Sequence, residues 1–176
     1  MYWQIGAKYA RYAFHIPDKN KFVLRTKIQN CYTQSNLNMS KLIIIDDDPI
    51  HHKIVQFMLT KNELAKETTY TFDGKLVLDY LEENKTKISA LPDFIFLDLY
   101  MPNHSGWDFL NGFQQIYKTL KKEIQIYVVS SSIFQMDINR TKGYPFVTNY
   151  ITKPLMKSVF DNIRGRNLKL SLAQLN

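Results

Sequence analysis

A chain of 176 residues with 45% apolar and 22% charged side chains has the length and composition of one ordinary globular domain, and two full domains are disfavoured. Its one cysteine, Cys31, excludes an internal disulfide and any cysteine-based metal cluster, and reads as an incidental thiol. The net charge of +7 invites a nucleic-acid reading, but six Lys or Arg against one acid (Asp18) fall in residues 1–38, while residues 39–176 carry 17 bases against 15 acids and no basic stripe. No apolar run reaches the length of a membrane span. Residues 1–16 are broken up by Gln4, Lys8, Arg11 and His15 and lack a signal-peptide core, so a cytoplasmic location with no membrane partner is expected.

Residues 1–38 mix aromatics, bases and Asn/Gln without sustained periodicity. They read as a basic extension, either disordered or lying ahead of a natural start at Met39. Regular patterning begins at Lys41. Residues 42–45 are a short apolar run of the kind found in buried strands, ended by Asp46-Asp47-Asp48-Pro49. Pro49 suits a first helical turn, and Ile54, Val55, Met58 and Leu59 recur at helical spacing, giving a helix over about 50–61. Residues 67–72 alternate and are rich in Thr and Tyr, as strands are. Asp73-Gly74 turns the chain into a helix over 74–83 marked by Leu76, Val77, Tyr80 and Leu81.

Residues 94–97 form a second buried strand ending at Asp98. Ser105-Gly106 opens a helix carrying Trp107, Leu110, Phe113 and Tyr117, with Trp107, Phe109 and Phe113 expected in the core. Residues 124–129 are a third buried strand, ending at Ser130. A helix over about 133–142 stops at Gly143. A last strand over 146–151 leads to Lys153-Pro154, and a helix over 155–170 buries Leu155, Val159, Phe160 and Ile163. Five strands alternating with five helices imply a doubly wound α/β fold, a parallel sheet covered on both faces. Only about 22 residues follow Pro154, so a C-terminal output domain is not expected.

The chemistry lies at the strand ends, where such sheets carry their sites. There stand Asp46, Asp47 and Asp48, then Asp98, then Ser130, Ser131 and Ser132, then Lys153. Carboxylates about 5 Å apart repel by about 3 kcal/mol at an effective dielectric near 20, so one is protonated or a cation binds between them. Hard oxygen donors suit Mg²⁺. A carboxylate beside such a cation can attack phosphorus and become an acyl phosphate. The equatorial oxygens of the transferring group then need neutralising, which the metal, the Lys153 ammonium and the Ser130 hydroxyl can do. Singly, each feature is ordinary: a turn, a helix cap or a loop start. Their joint occurrence in order at strand ends is what carries the reading.

The segments KLIIIDDDP (41–49), FLDLYMP (96–102) and YITKP (150–154) resemble those of two-component response-regulator receiver domains, over about 41–170 of the chain. The resemblance implies the flavodoxin-like strand order 2-1-3-4-5. It matches Asp98 to the phosphorylated aspartate and Asp46 and Asp47 to the acidic pair that holds Mg²⁺, with Asp47 the direct ligand. The Tyr100 backbone carbonyl matches the main-chain metal ligand. Ser130 matches the hydroxyl residue drawn toward the phosphoryl group, Lys153 the lysine paired with it, and Tyr150 the aromatic switch whose rotamer follows the site. It also implies a signalling switch rather than an enzyme, with a sensor histidine kinase as donor. The phosphorylated surface of helix 4, strand 5 and helix 5 would bind a downstream target protein. Alternatively, the domain relays the group to a histidine phosphotransfer protein. Self-association into a homodimer on phosphorylation stays open.

Two departures from the family pattern stand out. Ser130 replaces a threonine and keeps the hydroxyl donor. Tyr100 is bulky near the path of an attacking water and is expected to alter acyl-phosphate lifetime. An aspartyl-phosphate hydrolase of the haloacid-dehalogenase type would need an acid where Tyr100 stands. A nucleic-acid partner would have to use residues 1–38, which carry no recognisable binding motif. Adjacent helical residues diverge by about 100°, so His51 and His52 cannot converge on one ligand and read as surface or otherwise satisfied histidines.

Overall fold

The computed structural model describes residues 41–62 and 67–163, all within the compact unit Leu37–Asn176. The extension expected over 1–38 and the end of the last helix beyond 163 lie outside the described residues. Strands β1 (Lys41–Ile45), β2 (Glu67–Thr71), β3 (Phe94–Leu97), β4 (Gln125–Ser130) and β5 (Val147–Thr152) form a five-stranded sheet in the order β2-β1-β3-β4-β5. Every neighbouring pair is parallel. Helices α1 (Pro49–Asn62), α2 (Gly74–Glu83), α3 (Gly106–Ile116) and α4 (Gln135–Thr141) alternate with them. A fifth helix, α5, runs over 157–163. The expected fold and strand order are those observed.

Strand alternation explains the two cores. Ile43, Ile45, Ile95 and Leu97 point to one face and pack with Val77 and Leu81 of α2 and Phe109, Leu110 and Phe113 of α3. Leu42, Ile44, Phe94 and Phe96 point to the other, against Val55 and Leu59 of α1 and Phe160 of α5. Helical periodicity locates α1 and α2, but it overstates their buried stripes: Ile54, Leu76 and Tyr80 are exposed. In α2 the buried stripe narrows to Gly74, Val77 and Leu81.

Local chemistry sets the helix starts. The Asp73 carboxylate accepts from Lys75 N at 2.8 Å and caps α2. Ser105 and Asp108 form a reciprocal capping box on α3. Gly106, just inside that box, is forced by the acceptor loop: a Cβ there would lie 2.2 Å from the Asp98 carbonyl oxygen and 2.7 Å from Leu99 Cα. Helix α4 begins at Gln135, two residues later than the apolar pattern suggests, and Phe134 caps it without a side-chain hydrogen bond.

Candidate functional site: an acidic cluster at the strand ends

The main chain places the cluster. Beyond the end of β1, Asp46 N donates to Thr71 O at 3.1 Å, and beyond β3, Asp98 N donates to Ile45 O at 2.9 Å. Lys153 N donates to Ser130 O at 2.8 Å, fixing the residue after β5 against the end of β4. These bonds continue the parallel ladders past the strands, so the side chains emerge together at the carboxyl edge of the sheet.

Carboxylate oxygens of Asp46, Asp47 and Asp98 all lie within 4.8 Å of one another. Asp46 and Asp98 are only 1% and 5% exposed, whereas Asp47 is open to solvent. Lys153 Nζ stands 2.7 Å from Asp46 Oδ2 and 2.7 Å from Asp98 Oδ2, bridging the two buried acids. The remaining Asp98 oxygen accepts from Tyr100 N at 3.2 Å. Asp46 Oδ1 accepts from Asp48 N at 3.0 Å.

Burial alone would raise the Asp46 pKa, but hydrogen bonds from His51, Lys153 and the Asp48 backbone outweigh it and hold the group at about 2. Burial likewise works against the charged form of Lys153, and the bonds to Asp46 and Asp98 raise its pKa instead. Among these groups one ammonium faces three carboxylates, which leaves an excess of negative charge in a partly desolvated pocket. An all-oxygen donor set with that excess fits a hard divalent cation such as Mg²⁺.

Around the mouth runs a second network. Tyr100 Oη donates to Asp137 Oδ2 at 2.7 Å, and Ser132 Oγ donates to the same oxygen at 2.5 Å. These two bonds, Ser132 first, lower the Asp137 pKa; the bond to Asp137 raises that of Tyr100. Tyr150 Oη donates to Ser132 O at 2.8 Å. Ser130 is fully buried, and its Oγ accepts from Ser132 N at 3.3 Å. The structure thus brings Asp46, Asp47, Asp98 and Lys153 into one cluster. Ser130 and Tyr150 are tied instead to the loop after β4.

Two participants escaped sequence reasoning. Asp137 lies in the first turn of α4, and only the geometry of the loop carries it to Tyr100. His51 is buried, with Nδ1 2.6 Å from Asp46 Oδ2. Its signal was present: a histidine in the first turn of the helix that follows the acidic strand end. His52, also buried, stacks on Phe72 with ring centroids 4.9 Å apart, and burial lowers its pKa.

Residues 42–163 match the family described as the response regulator receiver domain. The chain belongs to that family. A receiver's solved relatives share the fold: a two-component response regulator from Cytophaga hutchinsonii is 23% identical, with a TM-score of 0.66 over 74% of this chain and 98% of that one. The phosphorylated cyanobacterial phytochrome response regulator RcpA is 27% identical, with a TM-score of 0.57 over 72% of this chain and 90% of that one. The receiver domain of a Pseudomonas aeruginosa sensor histidine kinase, with a magnesium ion coordinated in its active site cleft, is 16% identical, with a TM-score of 0.57 over 73% of this chain and 96% of that one. Fimbriae Z protein of Escherichia coli K12 is 29% identical over 82 residues, 47% of this chain and 36% of that protein's length. Receiver domains are signalling switches of two-component systems; phosphorylation and Mg²⁺ binding are typical of them, and they interact with histidine kinases and downstream targets. None of the described helices is long and apolar enough to cross a membrane.

Proposed function

We propose that this receiver accepts a phosphoryl group on Asp98 from a phospho-histidine and passes the change to a partner protein through its α4-β5-α5 surface. The observation that carries this reading is the Lys153 ammonium bridging Asp46 and Asp98 at 2.7 Å each inside a triad of carboxylates. Asp46, Asp47, Asp98 and the Tyr100 carbonyl would hold Mg²⁺, which supplies the positive charge that an incoming phosphoryl group needs.

An Asp98 carboxylate oxygen attacks phosphorus as the bond to the donor imidazole nitrogen breaks, and solvent returns the proton to that imidazole. Lys153, already beside Asp98, neutralises an equatorial oxygen of the transferring group. Ser130 turns its hydroxyl from the loop after β4 toward a second oxygen. That turn withdraws the acceptor of the Ser132 N–H, and Ser132 is also the residue that Tyr150 and Asp137 hold. A local charge therefore biases the loop that leads into α4. At that place Ile133, Phe134 and Met136 are exposed, an apolar group suited to contact with a protein partner.

Tyr100 lies two residues past Asp98 with its hydroxyl on Asp137, and we assign it a part in acyl-phosphate lifetime. Intact-protein mass measurement after incubation with acetyl phosphate tests the central claim. The expected result is a Mg²⁺-dependent gain of one phosphoryl group, labile to hydroxylamine and absent from Asp98→Asn. Uptake by Asp98→Asn, or uptake equal without Mg²⁺, would place the chemistry elsewhere.

A further inference from the structure

One side chain of the acidic cluster has no part in the reading above. His51 sits in the first turn of α1, 7% exposed, with Nδ1 2.6 Å from Asp46 Oδ2. An ionised carboxylate can only accept, so in this contact the hydrogen is on the ring. His51 Nε2 is buried and has no hydrogen-bond partner. The Nδ1 contact is therefore the polar anchor of the ring, and packing supplies the rest.

Asp46 has three supports, and they differ in permanence. Asp48 N holds Oδ1 at 3.0 Å. Lys153 Nζ and His51 Nδ1 share Oδ2, at 2.7 and 2.6 Å. Lys153 is divided between Asp46 and Asp98, and any anion added at Asp98 draws it further that way. Without another donor, Oδ2 would be free to swing at that moment. The His51 ring is buried on a helix that packs Val55 and Leu59 into the core, so its contact does not depend on what occupies Asp98.

We infer that His51 is a positioning residue for the cation site, its Nδ1–H holding the Asp46 carboxylate in place while Lys153 is committed to Asp98. The inference rests on the receiver reading of the cluster. Hydrogen-bond partners that orient a metal-binding side chain commonly contribute about 10- to 100-fold in metal affinity.

The test is calorimetric titration of the full-length, metal-free chain with Mg²⁺ alone, for the native protein, His51→Phe and His51→Asn. Phenylalanine fills the ring's space without the donor; the asparagine amide can put an N–H near the Nδ1 position. His51→Phe is expected to bind Mg²⁺ at least about 10-fold more weakly, and His51→Asn to recover to within about threefold of native. Long-range proton–nitrogen NMR of the native chain should show hydrogen on His51 Nδ1 and a shift of that nitrogen on adding Mg²⁺. Native affinity in His51→Phe overturns the inference alone, as does equal weakening in both variants, which would mark a packing role. A native chain that takes up no Mg²⁺ overturns it together with the receiver reading. Should His51→Phe fail to fold, the native spectrum decides, and an Nδ1 without hydrogen overturns it.

Discussion

The buried acids of Asp46 and Asp98 and the outer group of Tyr100, Asp137, Ser132 and Tyr150 belong to the same end of the sheet but are held by different means. Asp46 and Asp98 are each pinned by a main-chain bond to the neighbouring strand and share one ammonium. The outer group is joined through side chains and one loop carbonyl, and it leans on α4, a helix of 7 residues with no side-chain cap. A site that must accept a charge without shifting belongs on strand ends. A reporter of that charge belongs on an element with little stability of its own. On the proposed function, the difference between the two groups would separate where a phosphoryl group is received from where its arrival is read.

The sharpest way to break the comparison is to disturb the rigid half. Lys153→Met removes the only ammonium of the described cluster and leaves two buried carboxylates facing each other. Breaking a buried pair from one side costs about 3–5 kcal/mol, and a loss in that range is expected by urea unfolding without metal. Added Mg²⁺ should restore part of it, because a cation can take the place of the ammonium. Gly106→Ala attacks the same half through the main chain. With a Cβ 2.2 Å from the Asp98 carbonyl, either α3 or the acceptor loop must move, at a cost of about 1–3 kcal/mol. Lysine and glycine variants as stable as the native chain would mean that the strand ends are not the rigid element.

The pH dependence of stability sharpens the contrast from the acid side. Asp46 has its pKa lowered from 3.8 to about 2 in the folded chain. The unfolded chain therefore binds the proton first as pH falls. The stabilisation is complete above the unfolded value and is lost as pH drops through 3.8 toward 2, on the order of 2 kcal/mol in all. Asp46→Asn should flatten that part of the acid profile, measured by urea midpoints without metal. Lys153 has the opposite sign: its raised pKa gives stability that is present below 10.5 and lost as pH climbs through the higher folded value. A native acid limb as flat as that of Asp46→Asn would show that the bonds from His51 and Lys153 do not hold the carboxylate as described.

The rigid half was the legible half. Apolar runs such as 42–45 and 94–97 announce buried strands, and a parallel sheet puts whatever follows them at one edge, so Asp46, Asp98 and Lys153 could be gathered without coordinates. The outer half was not, because Asp137 reaches Tyr100 only through the path of the loop after β4, which no periodicity encodes. His51 was missed for a related reason. Treating the histidines as a pair asked whether they converge on each other, when the helix start folds one of them back over the strand end that precedes it. Ile54, Leu76 and Tyr80 show the same limit from the apolar side: spacing locates a helix, while the width of its buried stripe depends on what packs against it.

The smallest expected effect tests the outer half itself. Tyr100 is more than half exposed, so losing its hydroxyl should leave the fold nearly unchanged. Tyr100→Phe nevertheless frees one side of Asp137, which keeps only the Ser132 donor, and the Asp137 pKa should rise toward the ordinary carboxylate value. With the ring no longer tethered to α4, it is free to move, and on the proposed role of Tyr100 that motion would admit water to the acyl phosphate. Loss of the phosphoryl group should then quicken by roughly threefold, a small change in barrier. Tyr100→Ala, which removes the ring as well, should be faster still. The rates come from the decay of the phosphorylated mass after removal of acetyl phosphate. If both variants decay at the native rate, Tyr100 does not govern water access, and its bond to Asp137 serves only to hold α4 against the loop. If Ala alone is faster, the bulk of the ring matters and its tether does not, which would separate the outer network from the chemistry and leave it to the reporting surface.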